Sequence, residues 1–183
     1  MFVYLLKANP CSSPHILFII YIPGIIYLID LLYMKSSILV IGSSNTDMVI
    51  KTSRLPAPGE TILGGRFLMT PGGKGANQAV AASRLGGSVT FICKTGNDIF
   101  GKQSADLFKK EGIDTSCIFE HPEEPSGVAL INVDDKGENC IAVASGANAF
   151  LPVEDIMLAA HCIEKADILL VQLEIPVETV AYI

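Results

Sequence analysis

Strongly apolar runs alternate with helical and glycine-rich segments along the chain from residue 35 onward. The segments SILVIG (37–42), GSVTFICKTGND (87–98) and DILLVQLEIP (167–176) have the apolar, β-branched character of strands buried on both faces. Helical patterns follow the glycine-rich segment at 71–75 and cover VEDIMLAAHCIEKA (153–166). A further helix is predicted to run to Gly112 from Asp98, which can cap its start. Strands and helices that alternate in this way predict an α/β sandwich.

A β-hairpin interrupts this alternation. Two extended runs flank Asp135, Lys136 and Gly137 in SGVALINVDDKGENCIAVASGAN (126–148), a pattern typical of a hairpin. The turn-rich segment RLPAPGET (54–61) leads into TILGGRFLMT (61–70), which has the character of another short strand. Strands that fall outside the main alternation indicate a lid or an edge structure.

Asn45 and Asp47 directly follow the first predicted strand. In open α/β sheets, ligands bind in the crevice outside the carboxyl ends of the strands, so this pair is well placed to hold a polar ligand. The same residue types also make local hydrogen bonds in turns. Position alone leaves both interpretations open.

The segment PGGKGANQAVAASRLG (71–86) places three glycines and Lys74 within four positions, ahead of an alanine-rich helix. It differs from the P-loop motif, because Gly75 rather than Ser or Thr follows Lys74. It also lacks the third glycine of the dinucleotide-binding motif. A helix start with free N–H groups, Lys74 and Asn77 suits a hydroxyl-rich or anionic ligand.

Composition narrows the class of protein. Half of the 183 residues are hydrophobic and 17% are charged, which fits a globular chain. The net charge of −6, without a basic cluster, argues against a nucleic-acid partner. The five cysteines form no C-x-x-C pair and the three histidines are scattered, so we expect reduced thiols in a cytoplasmic protein and no metal site.

Residues 1–33 form a hydrophobic N-terminal extension. Its apolar run at 16–33 approaches the roughly 20 residues of a membrane span but contains Asp30 and the pair Pro23 and Gly24. Met34 begins a segment typical of a cytosolic α/β protein. Three interpretations stay open: a misassigned start upstream of Met34, a membrane or interfacial segment at 16–33, and a structured extension.

Residues 34–183 resemble the N-terminal part of the ribokinase-like (PfkB) carbohydrate kinases. The resemblance rests on an ordered series of motifs: GSSNTDMV, PAPGET, GGKGANQAVAASRLG, TGNDIFG, SGVALI, GENCI, SGAN and LLVQLE. It implies an incomplete three-layer α/β/α sandwich with a small β-sheet lid. The lid strands are expected near 46–51, 60–69 and 127–145, and the lid is expected to form a homodimer interface in the full-length protein.

The resemblance also implies roles for individual residues. The residues expected to bind the sugar are Asn45, Asp47, Gly73, Lys74, Gly75, Ala76, Asn77 and Glu174. They include the pair after the first strand, the glycine-rich loop and the end of QLE. The implied activity is ATP-dependent sugar phosphorylation with Mg²⁺ and a monovalent cation such as K⁺, and D-ribose is the expected substrate.

The catalytic part of the family pattern is missing. A D-T-x-G-A-G-D motif, which in the family supplies the anion hole and the catalytic aspartate, does not occur up to Ile183. We therefore expect the catalytic and ATP-binding groups to lie beyond Ile183 and this polypeptide alone to be inactive. The alternatives are a non-catalytic sugar-binding or dimerising fragment, a membrane-tethered protein, and a kinase of another pentose, a ketohexose or a nucleoside.

Overall fold

A computed structural model describes residues 36–183, together with the short segments 4–5, 21–22 and 25–26. The predicted apolar run at 16–33 therefore lies largely outside the described residues. No helix in the described part of the chain is long and apolar enough to cross a membrane.

The described segments form eleven strands, five α-helices and one 3₁₀ helix. The strands are β1 (Tyr4–Leu5), β2 (Tyr21–Ile22), β3 (Ile25–Ile26), β4 (Ser37–Ile41), β5 (Asn45–Lys51), β6 (Arg66–Gly72), β7 (Ser88–Gly96), β8 (Ile118–His121), β9 (Gly127–Val133), β10 (Asn139–Ala144) and β11 (Ile168–Val171). The α-helices are α1 (Lys74–Arg84), α2 (Ile99–Lys110), α3 (Val153–Leu158), α4 (Ala160–Lys165) and α5 (Val177–Tyr182), and the 3₁₀ helix is Gly146–Phe150.

The central sheet has the strand order β1-β11-β4-β7-β8. The strands β11, β4, β7 and β8 are parallel, and β1 pairs with β11 in the antiparallel sense. Helices connect the parallel strands, as such crossovers require. The three strongly apolar runs of the sequence are β4, β7 and β11, so the prediction of buried parallel strands is confirmed.

Two separate hydrophobic cores lie on the two faces of this sheet. Successive side chains of a strand point to opposite faces, and β4 shows this directly. Its residues Leu39 and Ile41 pack with Ile156 of α3, while Val40 packs with Ala79 of α1 and Phe108 of α2. The sheet is therefore covered on both faces, and the predicted three-layer α/β/α arrangement is confirmed.

A second sheet, which we call the lid sheet, has the order β10-β9-β5-β6. The predicted hairpin corresponds to β9 and β10, which pair from Asn139 opposite Val133 to Ala144 opposite Val128. The strand expected near 60–69 begins later, at Arg66, and extends to Gly72. Its start follows Gly64 and Gly65, which both have positive φ angles that a regular strand does not contain.

The helix expected at 153–166 is divided into α3 and α4. The backbone at Ala159 departs from helical geometry, with φ of −94° and ψ of 9°. Ala159 is itself buried in the core beneath the sheet. The apolar periodicity continues through this point, which explains why the sequence pattern indicates a single helix.

Asp98 caps α2, as the sequence predicts, and also holds the start of β9. Its Oδ1 accepts hydrogen bonds from the Gly101 amide at 2.8 Å and the Ser126 hydroxyl at 2.7 Å, and its Oδ2 accepts from the Ser126 amide at 2.8 Å. Burial alone would raise the pKa of Asp98, but these hydrogen bonds outweigh it and lower that pKa. The ionised carboxylate therefore stabilises the fold.

We expect Asp98→Asn to lower the free energy of unfolding at pH 7 by about 1–2 kcal/mol. A lowered folded-state pKa stabilises the protein above the ordinary aspartate pKa, and this contribution disappears as pH falls through the folded-state value. Urea titrations at several pH values should therefore show the two proteins converging in acid. Asp106→Asn on the same helix serves as control, and a constant gap between Asp98→Asn and the parent at all pH values would contradict the assignment.

Candidate functional site

A crevice opens beyond the carboxyl ends of β4 and β11, beside the lid sheet. Its cavity has a volume of about 510 Å³. Residues from the segments after β4 and β11, from the lid sheet, from the 3₁₀ helix and its cap, and from the start of α5 line it: Ser43, Asn45, Val143, Ser145, Asn148, Ala149, Leu173, Glu174, Ile175, Pro176 and Val177. This is the place at which open α/β sheets bind ligands.

Glu174 lies in this crevice and connects the end of β11 to the glycine-rich segment. Its Oε2 accepts a hydrogen bond from the Ser43 hydroxyl at 2.7 Å and a longer one from the Lys74 amide at 3.4 Å. The Lys74 ammonium forms an ion pair with Oε1. Burial alone would raise the pKa of Glu174, but the hydrogen bonds and the charge of Lys74 lower it, so this carboxylate is ionised.

Asp47 lies on β5, the lid strand that is adjacent to both β6 and β9. Its carboxylate is directly above Gly72, where a Cβ atom would overlap it. Burial raises the pKa of Asp47, and the negative charge of Glu174 raises it further. The two carboxylates therefore repel each other electrostatically. A ligand that donates hydrogen bonds to Asp47 would stabilise its ionised form.

Asn45 is held by Asn148 of the 3₁₀ helix. The Asn148 amide nitrogen donates to Asn45 Oδ1 at 2.8 Å and to the Ser44 carbonyl at 3.1 Å. Asn148 Oδ1 accepts from the Ser44 amide at 2.8 Å. Because Asn45 and Asn148 are both buried, this network fixes the start of β5 at the wall of the crevice.

The glycine-rich segment packs tightly against the end of β4. Gly73 has a φ angle of 92°, which favours glycine. A Cβ atom on Gly75 would lie 2.7 Å from the backbone of Gly42 and Ser43, so α1 approaches β4 as closely as a glycine allows. The Ala76 amide donates to the Ser43 carbonyl at 2.9 Å. These contacts set the direction of α1 and place Lys74 opposite Glu174.

The predicted site residues fall into two groups in the structure. Asn45 and Glu174 line the crevice, Lys74 is joined to it by the ion pair with Glu174, and Asp47 is coupled electrostatically to Glu174. Gly73, Gly75 and Ala76 are buried where α1 meets β4, and Asn77 is exposed on α1. Gly73, Gly75 and Ala76 therefore shape the backbone rather than the crevice wall.

Several crevice residues were not among the predicted ones. Ser43 lies two positions after the end of β4, and its place just beyond a buried strand is the signal that could have identified it. Asn148 and Ser145 belong to the motif SGAN, which is part of the family resemblance but contributed no residue to the expected sugar-binding set. The apolar residues Val143, Leu173 and Val177 carried no comparable signal.

Known proteins resemble the chain over most of its length. Residues 35–181 match the model of the pfkB family carbohydrate kinases. The chain belongs to this family. This pfkB family chain is 44% identical over 140 residues to the ribokinase of Mus musculus, a match that covers 76% of the chain and 43% of that protein.

Two further relatives extend the comparison. The deoxyribokinase of Salmonella typhi is 41% identical over 143 residues, covering 78% of the chain and 47% of that protein. The structure of Arabidopsis thaliana ribokinase complexed with ribose and ATP superposes with a TM-score of 0.69 at 30% identity, covering 81% of the chain and 50% of that structure. The chain thus spans about half the length of the curated relatives it matches.

Proposed function

We propose that this pfkB family chain carries the sugar-binding part of an ATP-dependent sugar kinase, and that D-ribose is its sugar. The observation that carries the proposal is the crevice lined by the Asn45 amide and the Glu174 carboxylate, with the Asp47 carboxylate near enough to Glu174 for the two charges to interact. The relatives named ribokinase and the complex with ribose and ATP support the choice of sugar.

The chemistry of this crevice favours a neutral polyol. Sugar hydroxyls can donate to Asp47 and Glu174, and a hydrogen bond to a charged group contributes about 1.5–3 kcal/mol. The hydroxyls of a bound sugar can also accept from the Lys74 ammonium, which is exposed enough to turn toward a ligand. The apolar side chains of Val143 and Leu173 offer contacts for the carbon face of a sugar ring.

The same residues do not fit the nucleotide. Two neighbouring carboxylates repel a triphosphate, and the nearest cation, Lys74, is already paired with Glu174. That pairing also disfavours a magnesium ion at Glu174, so no phosphoryl-transfer step is assigned to these groups. ATP, Mg²⁺ and a monovalent cation such as K⁺ therefore enter the proposal only through the family resemblance and the relatives.

The second candidate sugar is 2-deoxy-D-ribose, because a relative of similar identity is named deoxyribokinase. The two sugars differ by one hydroxyl. A site built to hydrogen-bond that hydroxyl rejects the analogue that lacks it, since its own polar groups are then left unpaired. Comparing the two sugars therefore measures whether a protein group recognises the 2-hydroxyl.

The Asp47→Ala variant is expected to bind D-ribose about 10–100-fold more weakly than the parent, from the loss of one or two hydrogen bonds to a carboxylate. The measurement is calorimetric titration of the full chain with D-ribose and then with 2-deoxy-D-ribose. Asp135→Ala, at an exposed turn of the lid sheet, is the matched control. Circular dichroism first establishes that each protein is folded.

Each result has a distinct meaning. Saturable D-ribose binding that Asp47→Ala weakens and Asp135→Ala leaves unchanged would support the proposal. Equal affinity in parent and Asp47→Ala would remove Asp47 from the site. Tighter binding of 2-deoxy-D-ribose would replace ribose by the second candidate, and a silent titration of folded protein with both sugars would refute the proposed binding function.

Two further parts of the proposal concern the whole protein. We propose that it forms a homodimer through the lid sheet, supported by the exposed apolar side chains of Ile50, Phe67 and Leu130, which the strand register places on one face of that sheet. Adjacent exposed apolar side chains are typical of interaction sites. We place the protein in the cytoplasm on the family resemblance.

A further inference from the structure

Cys117 meets the neighbouring residues His161 and Cys162, which follow it by more than 40 positions in the sequence, on the α3–α4 side of the central sheet. Cys117 precedes β8 and is buried, and Cys162 in α4 is partly buried. Their Sγ atoms are 2.9 Å apart, and His161 Nε2 is 3.3 Å from Cys162 Sγ. Ligand atoms of the three residues all lie within 4.8 Å of one another.

We propose that Cys117 and Cys162 form a reversible disulfide when the protein reacts with a peroxide, and that His161 accepts the proton of the Cys162 thiol. The site is separate from the sugar crevice, because none of its three residues lines that cavity. The chemistry is a thiol modification that nothing in the proposed sugar-binding function requires.

Geometry favours a sulfur–sulfur bond over a metal site. Two cysteine ligands of a tetrahedral zinc ion, each about 2.3 Å from the metal, are about 3.8 Å apart. The two sulfurs here are closer, at 2.9 Å, and a shift of about 0.9 Å brings them to disulfide distance. Cys117 and Cys162 also reach each other from different elements that pack in one core, so neither element must unfold for the bond to form.

Burial disfavours the reactive thiolate form of Cys162. Burial raises the pKa of the Cys162 thiol to about 12, and the adjacent Cys117 adds to this rise. The thiolate is the reactive form, so the proton must leave as the sulfur attacks. The exposed His161 imidazole, next to Cys162, is the group within reach to accept it.

The reaction balances with one peroxide. Cys162 sulfur attacks one oxygen of hydrogen peroxide, the O–O bond breaks, and water leaves after taking up the thiol proton from His161. The resulting sulfenic acid is attacked by Cys117 sulfur, which forms the S–S bond and releases a second water. Two thiols lose two electrons in total, and the peroxide gains them. A dithiol reductant reverses the step by exchange.

The test uses the full chain with Cys11→Ser and Cys140→Ser, which removes the exposed Cys140 and the N-terminal cysteine. After treatment with hydrogen peroxide, alkylation and proteolysis, mass spectrometry should find a Cys117–Cys162 cross-linked peptide, about 2 Da lighter than the sum of its reduced parts. Dithiothreitol should restore both thiols. Cys93, buried in the core on the other face of the sheet, is the internal control and should stay unoxidised.

Variants separate the roles of the three residues. Cys162→Ser, at a partly exposed position, should abolish the cross-link without unfolding the chain. His161→Gln should slow cross-linking by about tenfold or more while leaving the final product unchanged, which a purely structural role would not do. Equal rates in His161→Gln and the parent would remove the base from the proposal.

Three outcomes would overturn the disulfide itself. One is recovery of Cys117 and Cys162 as separate alkylated or over-oxidised residues. A second is equally selective cross-linking in guanidinium chloride, which would show that the fold does not position the pair. The third is a zinc ion bound one per chain that blocks alkylation of both thiols and is lost in Cys162→Ser, which would make the cluster a metal site.

Discussion

The Asn148→Ala variant is expected to lose about 2–4 kcal/mol of its free energy of unfolding. Asn148 is 1% exposed and joins the 3₁₀ helix to the start of the lid through Ser44 and Asn45. Truncation leaves the Ser44 amide, the Ser44 carbonyl and the Asn45 side-chain oxygen without these partners. An unpaired buried polar group costs about 1–3 kcal/mol, so a cost near the lower limit for each of these three groups gives the expected loss.

Urea denaturation of the full chain measures this loss. Asn139→Ala is the matched control, because Asn139 is an exposed asparagine on β10, and it should change stability by less than about 0.5 kcal/mol. Asn148→Asp separates shape from hydrogen bonding, since it keeps the size but replaces a donor with an acceptor facing Asn45 Oδ1. If Asn148→Asp were as stable as the parent, the donated hydrogen bonds would not be what stabilises this region.

The same substitution tests how the crevice is organised. Asn45 lines the cavity, and Asn148 is the partner that fixes its side-chain oxygen. We therefore expect the folded molecules of Asn148→Ala to bind D-ribose more weakly than the parent protein does, although Asp47 is unchanged. A loss of stability without any loss of affinity would mean that Asn45 keeps its orientation without Asn148.

The central strands could be predicted from the sequence because each is short, apolar and bounded by polar or glycine residues. The segment at 37–42 corresponds to β4, whose alternating side chains enter both cores. Asp98 was recognised as a cap because its type and place before α2 are a local signal. The hairpin at 127–144 was equally local, since its turn residues lie between its two strands.

Contacts between distant residues left no such signal. Asn148 pairs with Ser44 across 104 positions, and Cys117 meets Cys162 across 45. The spacing of the cysteines argued against any cluster, yet the fold brings two of them together with His161. Local patterns report which face of a strand or helix is buried, whereas the partner on that face depends on the packing of whole elements.

Charge pairing in the crevice shows the same limit. Lys74 and Glu174 were each assigned to the sugar through the resemblance, but their ion pair with each other spans 100 positions. Burial and, to a smaller extent, the charge of Glu174 raise the pKa of Asp47, and Glu174 lies in the segment after β11 of the other sheet. The sequence identifies these charged residues, but the electrostatic interactions between them depend on the folded structure.

The Gly75→Ala variant is expected to lower the free energy of unfolding by about 2 kcal/mol and to disturb the crevice. Alanine in a helix is favoured over glycine by about 1 kcal/mol, which by itself would stabilise α1. The added Cβ atom, however, would lie 2.7 Å from backbone atoms of Gly42 and Ser43, which cannot rotate away. Overpacking costs about 1–3 kcal/mol, and contact with rigid backbone belongs at the upper end, so the steric effect wins.

Gly86→Ala, after the other end of the helix, is the control that separates sterics from backbone strain. Gly86 has a φ angle of 94° and open space around its Cα, so alanine there adds only conformational strain of roughly 1–2 kcal/mol. Both variants lose stability, but only Gly75→Ala should speed hydrogen exchange of the Ala76 amide, which donates to the Ser43 carbonyl. Ser43 also holds Glu174, so D-ribose affinity should fall in Gly75→Ala and not in Gly86→Ala. Unchanged exchange at Ala76 in Gly75→Ala would show that the helix accommodates the methyl group, and that its close approach to β4 does not organise the crevice.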